Sequence, residues 1–281
     1  MMPSSTRQFI NQDLRQRSFR RRNLRQAVFL GCDLRGCHFQ GADLRGATFR
    51  DCRTGYAAVR LAIAILVLIG FAVLMFHAVS SMVFGAMGTL PGQPAWPYVL
   101  ALYIVLAIAA TSSGLQTFRT PFAMPIRLCT ASANAALMGF FYGGSLMNNN
   151  PVSAVVGAVA LGTLGLLVAG WGRTTLVSAS LALLSAIATY GFTWVVWTAA
   201  SDYLTTGHWN QGLILGMLAA FSVGIALRSL TSSGRLASNW AGTSFRGANL
   251  TGCGFISTRL RACDLAEVIG FNQNIESQLG S

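Results

Sequence analysis

The stretch VFLGCDLRGCHFQGADLRGATF (residues 28–49) carries a large apolar side chain at every fifth position. A period of five matches neither the 3.6-residue period of an α-helix nor the 2.0-residue period of a strand. Followed outward, the rhythm ends at Thr54 and resumes about 185 residues later. The apolar centres are Phe9, Leu14, Phe19, Leu24, Phe29, Leu34, Phe39, Leu44 and Phe49, then Trp240, Phe245, Leu250, Phe255, Leu260 and Leu265.

Two positions before most centres the side chain is small. These positions hold Ala27, Cys32, Cys37, Ala42, Ala47, Cys52, Thr243, Ala248, Cys253, Thr258 and Cys263. The first four repeats depart from this rule, with Arg7, Gln12, Arg17 and Arg22. Long polar side chains suit an open end where they reach solvent, so we predict a polar N-terminal cap.

The units CDLRG, ADLRG and ANLTG at 32–36, 42–46 and 248–252 resemble those of the pentapeptide-repeat family. The resemblance covers about 45 residues at the front and 30 at the back. It implies a right-handed quadrilateral β-helix with one pentapeptide per face and four per coil. The centres and small residues would point inward and form the solenoid core, and the remaining positions would point outward.

Four repeats per coil place residues 20 apart in one column, such as Phe9, Phe29 and Phe49. Because the first segment stops in mid-coil, we predict that the second segment continues the same solenoid, with the intervening residues inserted into it. Two separate short stubs are the alternative, although so few coils bury little core.

The composition is that of a membrane protein, with 53% hydrophobic and only 10% charged residues. All 20 basic residues are arginine, which excludes chemistry that needs a lysine amine, such as Schiff-base formation. Residues 1–60 hold 12 Arg and 4 Asp, whereas residues 61–227 hold 3 Arg and 1 Asp. Two basic terminal segments therefore flank an almost uncharged central segment.

The middle divides into six apolar runs of bilayer-spanning length. We predict helices near 58–85, 96–116, 128–147, 152–171, 175–201 and 210–228. Arginine occurs in the second and fourth connections, as Arg119, Arg127 and Arg173, which predicts that both termini are cytoplasmic. The predicted domains are N-terminal repeats 1–56, a transmembrane domain 57–228, C-terminal repeats 229–271 and a tail 272–281.

No catalytic or metal-ligating pattern is visible, and we predict a protein that is not an enzyme and has no cofactor. Five of the six cysteines occupy the small inward position, which packing alone explains. His77 is the one ionisable residue well inside a predicted span and is a weak candidate for a cofactor ligand, for example to a pigment. Asn134 is interpreted as an interhelical hydrogen-bonding residue.

The position after the centre points outward and is frequently arginine. We predict that this face binds a partner, together with two apolar residues on one side; a purely solubilising face is the alternative of equal weight. The anticipated partners are membrane lipid and an acidic protein or membrane complex, and nucleic acid is not expected. The predicted contact residues are Arg15, Arg20, Arg25, Arg35, Arg45, Arg50, Arg246, Arg261, Ile10 and Leu30.

These features predict an integral membrane scaffold, adaptor or assembly factor that presents an arginine-rich solenoid to a protein. The alternative is a transporter or channel with a regulatory solenoid, and pigment binding is a weaker one. Proteins similar to this one, with repeats on both sides of a membrane segment, are common in cyanobacteria. The resemblance thus implies a thylakoid or plasma membrane.

Overall fold

The computed structural model describes residues 7–90, 92–116, 123–171, 175–258, 260 and 263–270. Arg261 of the predicted contact residues lies outside them. The chain forms two compact units. One unit comprises Met1–Ile65 with Ala237–Ser281, and the other comprises Leu66–Leu236.

The first unit is built on parallel β pairing at intervals of one coil. A four-stranded sheet runs in the order β1, β2, β3, β5, and Phe9, Phe29, Phe49 and Phe255 are successive partners in it. A two-stranded sheet joins β4 to β6. The strands are β1 (Gln8–Ile10), β2 (Val28–Leu30), β3 (Thr48–Arg50), β4 (Thr243–Ser244), β5 (Gly254–Ile256) and β6 (Cys263–Asp264).

Isolated parallel bridges complete four ladders per coil and join the two repeat segments directly. His38 pairs with Ser244 and Asp43 with Asn249, and the amide of Phe39 donates to the carbonyl of Ser244 at 2.7 Å. The second segment therefore stacks on the first as one β-helix-like solenoid. The 20-residue register predicted from the sequence is the register of these ladders.

Two details of the predicted register are wrong. Thr54 does not end the repeat but is buried beside Arg53, which pairs with Asp33 in the second ladder. Trp240 is not a repeat centre, because it lies in the last turns of a helix that runs to Ala241. The coil that is interrupted after Thr54 therefore resumes at Phe245, in the ladder that contains His38 and Ser244. All four faces of this coil are thus formed by repeats.

Stacked phenylalanine rings form the centre of the solenoid. Phe39 and Phe49 are fully buried, and their rings meet edge to face at 6.0 Å between centroids. Phe39 also stacks on Phe245 at 5.0 Å, and Phe49 stacks on Phe255 at 4.9 Å. Offset and edge-to-face ring pairs add to the stability that burial of their area provides. The two segments therefore share one aromatic core.

The corner of each coil requires a left-handed backbone, with φ +70° at Gly36. The equivalent corners of the first coil hold Asn11, Gln16, Arg21 and Gln26, with φ between 49° and 61°. A non-glycine residue in this conformation costs roughly 1 kcal/mol. The backbone conformation of the first coil therefore has a higher free energy than that of the second coil, whose corners are glycines.

The second unit is helical, and the described residues form six helices, the number predicted from the sequence as membrane-spanning. Five are long and apolar enough to cross a membrane, and α3 is the exception. Its sequence contains Arg127, Asn134 and several glycines, and it packs against α2, α4 and α5. The helices are α1 (Ala58–Ala86), α2 (Trp96–Gln116), α3 (Ala123–Leu146), α4 (Pro151–Trp171), α5 (Thr175–Thr205) and α6 (Trp209–Ala241).

Helix α6 ends at Ala241 and extends 13 residues beyond its predicted end at residue 228. The apolar segment that predicted this helix stops at the charged residue Arg228. Helical hydrogen bonding does not depend on apolarity, however, and the helix continues as far as the turn before β4. The predicted domain boundary at residue 229 is therefore inside α6.

Candidate functional site

The repeated Asp-Leu-Arg motif pairs its own charges on the outer face of the solenoid. The leucine points inward, so the residues on either side of it both face outward. The guanidinium of Arg35 binds the carboxylate of Asp33 through two parallel contacts, Nε to Oδ1 at 2.9 Å and Nη2 to Oδ2 at 2.6 Å. Arg45 binds Asp43 in the same way, with a shortest contact of 2.7 Å, and Arg15 binds Asp13.

Two of these pairs hold their carboxylates, Asp13 and Asp33, in the charged form. The hydrogen bond from the Arg15 side chain lowers the pKa of Asp13 to about 2. Burial raises the pKa of Asp33, but the hydrogen bonds from Arg35 outweigh it, and the net pKa is below the ordinary value. Such exposed pairs contribute little to stability. Their main consequence is that the outer face is largely neutral where Asp precedes Arg by two residues.

The other predicted contact arginines that the structure describes also have partners within the chain. Arg20 donates to the side-chain oxygen of Gln40 at 2.8 Å, and Arg25 lies 3.0 Å from the carboxylate of Asp43. Further along, Arg246 binds Glu267 at 2.7 Å and Arg50 lies 4.0 Å from Asp51. The predicted set therefore occupies the outer face, but most of its positive charge is already compensated.

A different group of arginines lies uncompensated on the first coil. Arg17, Arg21 and Arg22 are exposed, and among the residues that the structure describes their side chains make no hydrogen bond or ion pair. We call these three residues the coil-one arginines. The sequence signal was available, because none of the three follows an aspartate by two positions. We interpreted Arg17 and Arg22 as cap residues and overlooked them as a binding surface.

The predicted apolar contact residues are neighbours across the first two coils. Ile10 pairs with Leu30 in the β1–β2 ladder, and Ile10 is about half exposed. The next outward residue on this ladder is Arg50, followed by the exposed Ile256. The apolar patch therefore consists of two residues, Ile10 on the edge strand β1 and Leu30 on β2.

The inward cysteines are packing residues in the structure. The thiol of Cys37 donates to the carbonyl oxygen of Leu14 at 2.9 Å, and burial raises the pKa of this thiol to about 12. Burial likewise raises the pKa of Cys52 to about 11. Thiols with such pKa values stay protonated and are poor nucleophiles and metal ligands. No group of three potential metal-ligating residues occurs among the described residues.

A half-buried histidine lies beside the start of α1 in the first unit. His38 Nε2 contacts the guanidinium of Arg60, whose carbon is 5.9 Å from the ring centre of Trp240. Its Nδ1 is buried without a hydrogen-bond partner among the described residues. Burial, followed by the positive charges of Arg60 and Arg20, lowers the pKa of His38 to about 4.

This histidine makes the stability of the repeat unit depend on pH. The unfolded chain binds a proton at His38 near pH 6.5, whereas the folded chain does so only near pH 4. We therefore expect the free energy of unfolding to fall as the pH drops from about 6.5 to about 4. Hydrogen exchange of residues 37–45 at several pH values measures the effect. His38→Gln should flatten this dependence, and the exposed His208→Gln control should not; an unchanged slope in His38→Gln would contradict the assignment.

The two polar residues noted inside the helices have separate environments. Asn134 on α3 donates from Nδ2 to Ser185 Oγ on α5 at 3.0 Å, which is the interhelical contact expected of it. His77 on α1 lies 5.2 Å from the ring of Phe141 and stacks at 6.3 Å on Tyr142. The structure thus gives His77 aromatic neighbours, and it does not bring His77 and Asn134 together in one site.

Comparison with known proteins identifies the repeats. The family model for Pentapeptide repeats matches residues 18–51 and 237–265, in eight copies. The match starts at Ala237, so it includes five residues that are helical here. Searches of curated proteins and of solved structures each found no match, and nothing found connects the chain with cyanobacteria or a thylakoid. The two segments that stack to form the first unit of this protein are therefore pentapeptide repeats.

Proposed function

We propose that the protein is a membrane-anchored scaffold whose repeat unit, a right-handed quadrilateral β-helix, docks an acidic protein partner. The helical unit is the anchor, and the protein performs no catalysis. The observation that carries this proposal is the set of coil-one arginines, which are exposed and uncompensated at one end of the solenoid. Positive charge without an internal partner is available to an external one.

The pairing of the two repeat segments supports an even number of membrane crossings. A solenoid built from both flanks forms on one side of the membrane, so the intervening chain has to return to the side on which it started. Five helices are apolar enough to cross by themselves. We infer that α3 is the sixth crossing helix, with its polar and small residues buried against its neighbours.

The distribution of arginine supports a cytoplasmic position for both termini. Arg119 and Arg173 lie in the connections between α2 and α3 and between α4 and α5, whereas the alternate connections carry none. Anionic lipid headgroups on the cytoplasmic side also attract arginine side chains. Lipid is a competing ligand for the coil-one arginines, and the experiment has to separate it from a protein.

Replacement of the coil-one arginines tests the docking surface. The full-length tagged protein is purified from its native membranes in mild detergent, and co-purified proteins are identified by mass spectrometry at low and high salt. We expect a stoichiometric acidic protein at low salt, lost at high salt. In the variant Arg17→Gln, Arg21→Gln, Arg22→Gln its binding should weaken about tenfold, as expected for three exposed charge contacts.

The matched control removes the same charge from arginines that are already paired. The variant Arg15→Gln, Arg35→Gln, Arg45→Gln should keep the partner, because these guanidinium groups are bound to aspartates. Loss of the partner in the control alone would move the docking surface to the outer face predicted from the sequence. Recovery of the protein without a partner at either salt concentration would refute the scaffold proposal.

A further inference from the structure

The helical unit contains a polar cavity at one end. Its volume is about 630 Å³, and it is lined by the end of α2, the starts of α3 and α5 and the second half of α6. Three arginines contribute to the lining, Arg127 on α3 and Arg228 and Arg235 on α6. The cavity is only partly enclosed, and the side chains of Arg228 and Arg235 in its lining are exposed.

Helix α6 presents its polar residues to the cavity with helical spacing. Arg228, Thr231, Ser232 and Arg235 follow one another at intervals of three, one and three residues, which places them on one helix face. Ser229 and Ser233 lie beside them and donate to the carbonyl oxygens of Ala182 and Ala179 on α5. These two bonds fix the face of α6 relative to α5.

The charge of the cavity is not balanced within the helical unit. Residues 66–236 contain a single acidic residue, Asp202. It lies 24 residues beyond the cavity residue Ser178 on α5, which is roughly 36 Å along the helix. Among the described residues, the guanidinium groups of Arg228 and Arg235 form no hydrogen bond or ion pair.

A buried hydroxyl in the same cavity also has no partner. Ser113 on α2 is only 2% exposed and lines the cavity, and its Oγ makes no hydrogen bond to any described residue. The adjacent Ser112 differs, because its hydroxyl donates to the carbonyl oxygen of Ala109. A buried polar group without a hydrogen bond is costly, so an unsatisfied donor in a cavity points to a ligand that accepts from it.

We propose that this cavity binds a phosphate group. Phosphate oxygens accept hydrogen bonds from the fork of an arginine and from a serine hydroxyl, and their negative charge balances the guanidinium groups. A free phosphate and the phosphodiester of an anionic lipid share this chemistry. The site is separate from the repeat unit and does not depend on the scaffold proposal.

The first arm of the test measures free phosphate. Delipidated full-length protein in neutral detergent is titrated with inorganic phosphate, with sodium chloride at matched ionic strength as the reference, and thermal unfolding is recorded. We expect phosphate to raise the Tm of the wild type. The variant Arg228→Gln, Arg235→Gln should weaken phosphate binding about a hundredfold, and Ser113→Ala about threefold to tenfold.

The second arm measures lipid. Protein in nanodiscs of phosphatidylcholine with a minor fraction of phosphatidylglycerol is released and examined by native mass spectrometry for retained lipid. Stoichiometric retention of phosphatidylglycerol, lost in Arg228→Gln, Arg235→Gln, identifies a lipid headgroup as the source. Phosphate binding in the first arm without such retention identifies a free phosphate.

Matched controls separate binding from folding. Arg53→Gln removes an exposed arginine of the repeat unit and should leave both readouts unchanged. Without phosphate, the double variant should unfold at the wild-type Tm or above, because it removes like charges that have no internal partner. If the wild type shows neither an anion-specific rise in Tm nor retention of anionic lipid, or if both persist in the double variant, the proposal is refuted.

Discussion

Phe39→Ala is expected to reduce the free energy of unfolding of the repeat unit by about 4 kcal/mol, the middle of the range for loss of a buried phenylalanine. The Phe39 ring is fully buried and stacks between Phe19 at 5.1 Å and Phe245 at 5.0 Å. It also meets Phe29 and Phe49 edge to face. Alanine would leave a cavity where the two repeat segments join, and the surrounding ladders restrict its collapse.

Hydrogen exchange of the full-length protein in detergent measures this effect, because it reports the opening of the repeat unit independently of the helices. The amides of residues 37–49 and 243–255 should lose protection together. The matched control is Phe9→Ala, at the edge strand, where the ring is partly exposed, stacks on Phe29 and meets Phe19 edge to face. A loss below about 1.5 kcal/mol is expected there. Equal losses at both positions would show that the junction is not the centre of the core.

Gly157→Leu is expected to destabilise the helical unit by about 3 kcal/mol, as found for overpacked interiors. A Cβ on Gly157 would overlap the carbonyl oxygen of Gly139 and lie 3.0 Å from the Cα of Gly143. Helices α3 and α4 therefore touch through their backbones, which small residues permit in membrane proteins. A leucine would force the two helices apart along most of their contact.

Thermal unfolding in detergent checks this result, with Gly170→Leu as the control on the same helix. A Cβ on Gly170 meets only one side-chain carbon of Leu128, at 4.0 Å, so the control should change the Tm little. If both variants kept the wild-type Tm, the close approach of α3 to α4 would not be an important source of stability. A fall in the control alone would contradict the packing described here.

The solenoid register was predictable because it depends on local spacing. Phe29, Phe39 and Phe49 recur at fixed intervals, and backbone pairing requires only that equal intervals be stacked. Trp240 shows the limit of this reasoning, because a residue with repeat spacing became helical when α6 continued through it. Thr54 shows the converse, since a small polar side chain occupies a position that the apolar pattern reserved for leucine.

The charged residues show the same difference between what local spacing predicts and what tertiary structure decides. Asp33 and Arg35 are two residues apart on an outward face, and this local pairing follows from the motif once the alternation of the strand is known. The exposed coil-one arginines depend instead on which coil is terminal, and that is decided by the stacking of β1 at the sheet edge. We therefore took compensated arginines for the contact surface and the uncompensated ones for a cap.

The pentapeptide period, the presence of six helices and the absence of lysine chemistry are properties of the chain read in order, and the amino-acid sequence alone indicates them. The cavity joins Ser113, Arg127, Ser178, Arg228 and Arg235, which lie up to 122 positions apart on four helices. No periodicity in the sequence predicts that these residues are neighbours in space. Tertiary packing decided it, because burial and charge compensation depend on which side chains become neighbours in space.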